Sequence, residues 1–359
     1  MIPFSADSTA PTVTMRLRRP PWTRGRRLLF GLLVSTVVLG APGCHMTDLS
    51  LWRPAAPPAG AFRVEQVRGV AYDRGPDAAD HWHRLDLFLP VGKKDFPVVL
   101  LVHGGAWLLG DNRCCGLYSS VGEFLASQGI GAVLPNYRLS PGVKHPEHVK
   151  DVARAFAWTR DHIASYGGRP DQIFLAGHSA GGHLVSLLAT DEKYLQAEGL
   201  RTADIKGVVT VSGVYHLPPG KLEVKLGGAT PRAFSLDEVA PVRGAGGWGW
   251  TRRAGWPGLA VSLDVYGLAF GDDPKVRADA SPLTHVRAGL PPFLIFSAEN
   301  DLPTLPGMAE EFHRALLGQG VEAQWLRVQG RNHNSIFFGA VEANDPVAHA
   351  MVDFIRQHS

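Results

Sequence analysis

The stretch Ile173-Phe-Leu-Ala-Gly-His-Ser-Ala-Gly-Gly182 decides how this chain is read. Apolar residues of strand type lead into Gly177-His178-Ser179-Ala180-Gly181, and sequence of helical character follows at once from Gly182 to Thr190. That is G-x-S-x-G set between a strand and a helix. Chemistry explains the glycines, because a serine held on a sharp strand-to-helix turn leaves no room for side chains two positions before or after it. Ser179 would then project above the sheet edge, over the positive end of the helix. The pattern also arises by chance in Gly-rich chains, and this one has 41 glycines, so its partners must decide.

Outward from this stretch, strands and helices alternate. Pro97 to Val102 is a continuous apolar run, the signature of a strand covered on both faces; Ile130 to Leu134 and Pro292 to Ser297 read as further buried strands, and Ile205 to Val211 as another strand. Helical sequence separates them at Tyr118 to Gln128 and at Pro146 to about Tyr166; further helices are expected at 305–317 and 347–358. This rhythm implies βαβ units, hence an α/β fold with a largely parallel sheet, helices on both faces and functional groups at the carboxyl ends of the strands. Val64 to Tyr72 and His83 to Leu89 alternate apolar with polar residues, as half-buried antiparallel edge strands do. Between them, His81 and His83 read as surface-loop histidines. Residues 217–275 break the rhythm with Gly, Pro and aromatics, and read as a lid or pocket insertion.

The net charge of +3 and pI near 8.8 invite a nucleic-acid reading. Residues 1–43, however, hold six arginines and one acid; the remainder has 30 basic against 32 acidic residues, so the basic pI comes from the leader, no basic patch argues for nucleic acid, and no nucleic-acid partner is expected. The arginines precede Leu28 to Gly40, an apolar run of 13 residues, too short for a comfortable membrane span and right for a signal-peptide core. Ala41-Pro-Gly-Cys44 resembles a bacterial lipobox. Residues 1–44 therefore read as an export signal that lipidates Cys44 and associates the chain with the membrane of the cell envelope, with an uncleaved anchor or an ordinary soluble signal as alternatives. Residues 45–62, rich in Pro and Ala, read as a tether, and 63–359 as the folded domain. Cys114 and Cys115 are adjacent, and no zinc-type spacing occurs, so no metal is expected.

Three groups each stand just beyond an expected strand, Ile173 to Ala176, Pro292 to Ser297 and Ala323 to Val328, in the order Ser179, Asp301, His333. Serine is not ionised at neutral pH and needs a base. His333 would take its proton, and Asp301 would fix the His333 tautomer and stabilise the imidazolium. Glu299, on the same loop as Asp301, is the alternative acid. After the strand ending at Val102, His103-Gly-Gly-Ala-Trp107 would turn the N–H groups of Gly105 and Ala106, with that of Ala180, toward a tetrahedral oxyanion. Trp107 and Tyr215 are the aromatic candidates for substrate binding.

His103-Gly-Gly-Ala-Trp107, Tyr137-Arg-Leu-Ser-Pro141, Gly177-His-Ser-Ala-Gly181, Glu299-Asn-Asp301 and Gly330-Arg-Asn-His333 together resemble the α/β-hydrolase esterases, in the carboxylesterase and hormone-sensitive-lipase group that includes arylformamidase-like enzymes. The resemblance runs from about residue 62 to the C-terminus. It implies an eight-stranded, mostly parallel sheet, no cofactor, and cleavage of small-molecule esters through an acyl-enzyme. Ala106 departs from the third glycine of that group, and its methyl would narrow the room for bulky alcohol groups. An amidase or formamidase would use the same triad, and a noncatalytic binding module on the cell envelope is the alternative from another class.

Overall fold

The computed structural model describes residues 61–73, 75, 81–219, 223–226, 239–244, 247–252, 261–342 and 344–359. The leader at 1–44, Cys44 itself and nearly all of the tether lie outside the described residues. No helix among the described residues is long and apolar enough to cross a membrane.

Eight strands form the central sheet: β1 (Val64–Ala71), β2 (Arg84–Pro90), β3 (Phe96–Val102), β4 (Gly131–Pro135), β5 (Gly168–His178), β6 (Val208–Val211), β7 (Phe293–Asn300) and β8 (Ala323–Asn332). Their order is β1-β2-β4-β3-β5-β6-β7-β8. β2 runs antiparallel to both β1 and β4, and every later neighbour pair is parallel. The long helices are α1 (Leu117–Ser127), α2 (Glu147–His162), α3 (Ala180–Thr190), α4 (Leu305–Gly318) and α5 (Pro346–Gln357).

Period-two alternation along each strand builds two cores. Leu87, Val98, Leu100, Ile173, Leu175 and Ile295 pack on one face with residues of α2, α3 and α4. Phe88, Val99, Leu101, Phe174, Leu294 and Phe296 pack on the other with α1 and α5. Local signals start these helices: Asp345 accepts the N–H groups of Val347 and Ala348 ahead of Pro346 at N1, and Glu147 in the first turn of α2 complements its dipole. β2 departs from the half-buried expectation, since all but its first residue are buried. It is second in the sheet rather than at the edge, and α1 covers its Phe88 side.

Within 217–275, Glu223–Leu226 pairs antiparallel with Val261–Asp264, and Val239–Gly244 with Gly247–Arg252. The segment thus contains paired strands that its Gly- and Pro-rich composition hid. Its two ends are tied together by Arg277, whose buried guanidinium donates to the carbonyls of Pro218 and Gly271.

His83 corrects the surface-loop reading: it is buried and meets Asp151 of α2 at 3.3 Å. Asp151 also accepts from the Arg138 guanidinium at 2.7 and 2.8 Å and from Arg154 at 2.9 Å. Burial pushes its carboxyl up, but the hydrogen bonds from His83 and Arg138 outweigh that and bring it down to about 2. Because the native value lies below the ordinary 3.8, this stabilisation is complete above pH 3.8 and is lost as pH falls toward 2. Asp151→Asn is expected to lower stability by about 3 kcal/mol at pH 7 and to flatten the acid limb in that window. Urea unfolding across pH checks this, and equal midpoints for both proteins would refute it.

Candidate active site

Strand β5 delivers Ser179 to the carboxyl edge of the sheet at φ 55° and ψ −120°, a conformation L residues rarely adopt. The flanking glycines make that turn sterically feasible. A Cβ on Gly177 would lie 2.4 Å from the Gly181 carbonyl, and one on Gly181 would lie 2.1 Å from the Val102 oxygen. From Gln172 to Asp191 every residue is buried except Ser179. The elbow therefore presents one hydroxyl to solvent and buries everything around it.

The Ser179 hydroxyl stands 3.0 Å from His333 Nε2, and His333 Nδ1 stands 2.7 Å from Asp301 Oδ1. A carboxylate only accepts, so Nδ1 carries the proton and Nε2 is left to receive the one on Ser179. The His333 loop is shaped by Asn332, whose side-chain oxygen accepts from the N–H groups of Asn334 and Ser335. Arg331 anchors the same loop by pairing with the buried Asp345.

Four donors saturate Asp301. Oδ1 accepts from His333 and from the Leu302 N–H at 2.8 Å; Oδ2 accepts from the Ser212 hydroxyl at 2.5 Å and the Ala298 N–H at 3.1 Å. Burial raises its carboxyl, but the bonds from His333 and Ser212 outweigh this and hold it below the usual range. Glu299 is not part of this array, since it accepts the Gly330 N–H at 2.8 Å. Sequence reasoning missed Ser212. The available signal was its place: it directly follows β6, beside the nucleophile strand, as Ser179 follows β5, and it too has a positive φ, of 50°.

After β3 the chain passes through Gly105, Ala106 and Trp107 at φ 117°, 54° and 59°, three successive left-handed residues. Ala106 and Trp107 occupy this region against the preference of L residues, at a cost of roughly 1 kcal/mol each. The turn abuts the nucleophile, for a Cβ on Gly104 would come within 3.1 Å of Ser179 Cβ. The Gly105 carbonyl is taken by the N–H groups of Leu108 and Leu109. The N–H groups of Gly105, Ala106 and Ala180, by contrast, have no acceptor among the described residues.

Both aromatic substrate-binding candidates are corrected by their packing. Trp107 is 2% exposed; its indole N–H donates to His183 Nδ1 at 3.2 Å, and its ring packs edge-on against Phe270. Tyr215 is fully buried, shares a 2.7 Å hydrogen bond with Thr210 and stacks on Phe312 at 4.5 Å. Neither ring keeps a free face for a ligand. His183 is structural: it also donates from Nε2 to the Ala280 carbonyl at 2.7 Å, and burial lowers its pKa to about 3.

Among the described residues, Asp191, Asp279 and His285 are grouped closely enough for a cation. The Lys193 ammonium already bridges the two carboxylates at 2.7 and 2.6 Å. The group also lies at the far end of α3 from Ser179, roughly 16 Å along the helix axis.

The sequence of residues 85–223 matches the BD-FAE family. Esterase LipC of Mycobacterium tuberculosis is 30% identical over 322 residues, 86% of this chain and 71% of LipC. The probable carboxylic ester hydrolase LipM of the same organism is 35% identical over 227 residues, and the probable isoprenylcysteine alpha-carbonyl methylesterase ICMEL1 of Arabidopsis thaliana is 27% identical over 264. These matches take in 62% and 71% of this chain, and the chain spans only 44% of LipM and 49% of ICMEL1. Among solved structures, an esterase from Pyrobaculum calidifontis aligns with TM-score 0.61 at 20% identity, over 92% of this chain and 93% of its own. Esterase B from Lactobacillus rhamnosus aligns with TM-score 0.63 at 19% identity, over 91% and 94%. By its sheet, the order of its motifs and its relationship to LipC, the chain belongs to the α/β-hydrolase esterases of the hormone-sensitive-lipase-like group, a family of carboxylic ester hydrolases.

Proposed function

We propose that this chain cleaves carboxylic esters of small to medium acyl or aryl groups through an acyl-enzyme on Ser179. The observation that carries this reading is the continuous arrangement of Ser179, His333 and Asp301, with gaps of 3.0 and 2.7 Å, beside a turn whose N–H donors have no acceptor among the described residues. His333 Nε2 takes the hydroxyl proton as Ser179 Oγ attacks the ester carbonyl carbon. The N–H groups of Gly105, Ala106 and Ala180 receive the tetrahedral oxyanion, each worth about 3 kcal/mol in the transition state. Asp301 stabilises the imidazolium, which then gives its proton to the departing alkoxide. Water, deprotonated by the same histidine, attacks the acyl-enzyme and releases the acid and free Ser179.

The names of the relatives, esterases and a methylesterase, favour an ester over an amide leaving group. The Ala106 methyl beside the oxyanion donors favours small alcohols. Hydrolysis of p-nitrophenyl esters from acetate to palmitate, run beside formanilide, tests the acyl size and the leaving group. Turnover is expected to be highest among the short and medium esters. A maximum at palmitate would refute the acyl size, and faster formanilide hydrolysis would refute the leaving group.

A further inference from the structure

His178, the variable residue of the elbow, turns its side chain away from solvent and is 3% exposed. Its Nε2 lies 2.8 Å from the backbone carbonyl of His333, and its Nδ1 lies 3.2 Å from the Tyr118 hydroxyl. The same hydroxyl is 2.7 Å from the N–H of Gly104, the first glycine of the oxyanion turn. Every direction in this series is fixed by chemistry. The His333 carbonyl only accepts, so His178 carries its proton on Nε2 and has a bare Nδ1. The Gly104 N–H only donates, so the Tyr118 oxygen accepts it, and the one tyrosine proton goes to His178 Nδ1. The result is a single directed chain, from Gly104 N–H to Tyr118 O–H to His178 to the His333 carbonyl, with no alternative arrangement of protons.

We propose that His178 and Tyr118 are positioning residues, which hold the oxyanion turn, the nucleophile elbow and the His333 loop in one register through this hydrogen-bond chain. The proposal rests on the Ser179 acyl-enzyme reading. Its three anchor points are the three loops that must meet at the reacting carbonyl, and they come from β3, β5 and β8, far apart in sequence. Other contacts tie the turn to the loop after β4, where the Tyr137 hydroxyl donates to the His103 carbonyl at 3.0 Å and the Ser140 N–H to the Trp107 carbonyl. The chain supplies the tie between Gly104 and His333. The packing is equally committed: the His178 ring stacks on Phe337 at 5.0 Å and 10°, and Phe338 packs edge-on against it. Burial, reinforced by the charge His333 acquires, lowers the His178 pKa to about 3, and burial raises that of Tyr118. Both groups therefore keep the protonation that the chain requires across the neutral range.

Tyr118→Phe removes one hydroxyl and no volume, leaving the Gly104 N–H and His178 Nδ1 without their partner. His178→Phe keeps a ring to stack on Phe337 and removes the bonds to both Tyr118 and the His333 carbonyl. A positioning role lowers kcat and leaves KM nearly unchanged, because the lost interactions bear on the transition state. Each single variant is expected to lose about 10- to 50-fold in kcat with KM within about 3-fold. The double variant should fall no more than about 3-fold below the weaker single, because both cut the same chain. Full titration by diethyl p-nitrophenyl phosphate should persist, with one site per folded chain.

Wild-type-like kcat in Tyr118→Phe overturns the proposal, and so do losses that multiply in the double variant. A fall in rate matched by an equal fall in titratable sites also overturns it, since that is what loss of folded protein gives. Should His178→Phe fail to fold, Tyr118→Phe decides alone. Failure of the wild type itself to take up the organophosphate is separate, and removes the Ser179 reading on which the proposal stands.

Discussion

Ser179→Ala is expected to lower ester turnover by about 10⁵-fold while leaving stability within about 1 kcal/mol of the parent. The two halves of that expectation have different origins. Catalytically, the hydroxyl is the only atom of the triad that bonds to the substrate, and its removal leaves no nucleophile for His333 to activate. The residual rate comes from water and the oxyanion donors. Structurally, the residue is the one accessible side chain in the run from 172 to 191, and its described side-chain contact is the single bond to His333. Alanine accepts φ 55° no worse than serine does, so the strained turn is unchanged. Steady-state kinetics beside urea unfolding check both halves. Retention of more than about 1% of turnover would be incompatible with the mechanism.

Asp301→Asn carries the second largest effect, a loss of about 10⁴-fold in kcat. The carboxylate is surrounded by four donors, and an amide has a donor of its own to place among them. Turned toward His333, the new NH₂ opposes the Leu302 N–H and forces the ring to protonate on Nε2. That nitrogen then faces Ser179 as a donor and cannot receive its proton. Turned toward Ser212, the NH₂ opposes the Ala298 N–H instead. In either orientation the negative charge that stabilises the imidazolium is gone. Glu299→Gln is the internal control: Glu299 accepts from the Gly330 N–H and the Gln329 amide and takes no part in holding His333, so the loss is expected to stay within about 3-fold. The reverse ranking of these two variants would reassign the acid.

Much of this is legible in the sequence, for reasons that differ from residue to residue. The glycines at 177 and 181 report a local steric demand, and local demands are written in adjacent residues. The placement of Ser179, Asp301 and His333 after expected strands is legible because parallel strands share a carboxyl edge. Ser212, Tyr118 and His178 were not legible as partners of the site. Their roles depend on which strands become neighbours and on side-chain directions at a shared edge, neither of which a periodicity encodes. Trp107 and Tyr215 misled for a related reason. An aromatic residue beside a catalytic loop can face the pocket or the core, and only the positions of His183, Phe270 and Phe312, distant in sequence, decide that it is the core. His83 belongs with them, since its partner Asp151 lies on a helix 68 residues later.

The central claim is that Ser179 is the nucleophile, activated by His333. Treatment of the full chain with diethyl p-nitrophenyl phosphate, followed by peptide mass spectrometry, tests it most directly. One diethyl phosphoryl group on the peptide bearing Ser179, appearing in step with loss of ester turnover and absent from Ser179→Ala, is the predicted result. Undiminished turnover with Ser179 unmodified, or an adduct on a different residue that accounts for the inactivation, would contradict it.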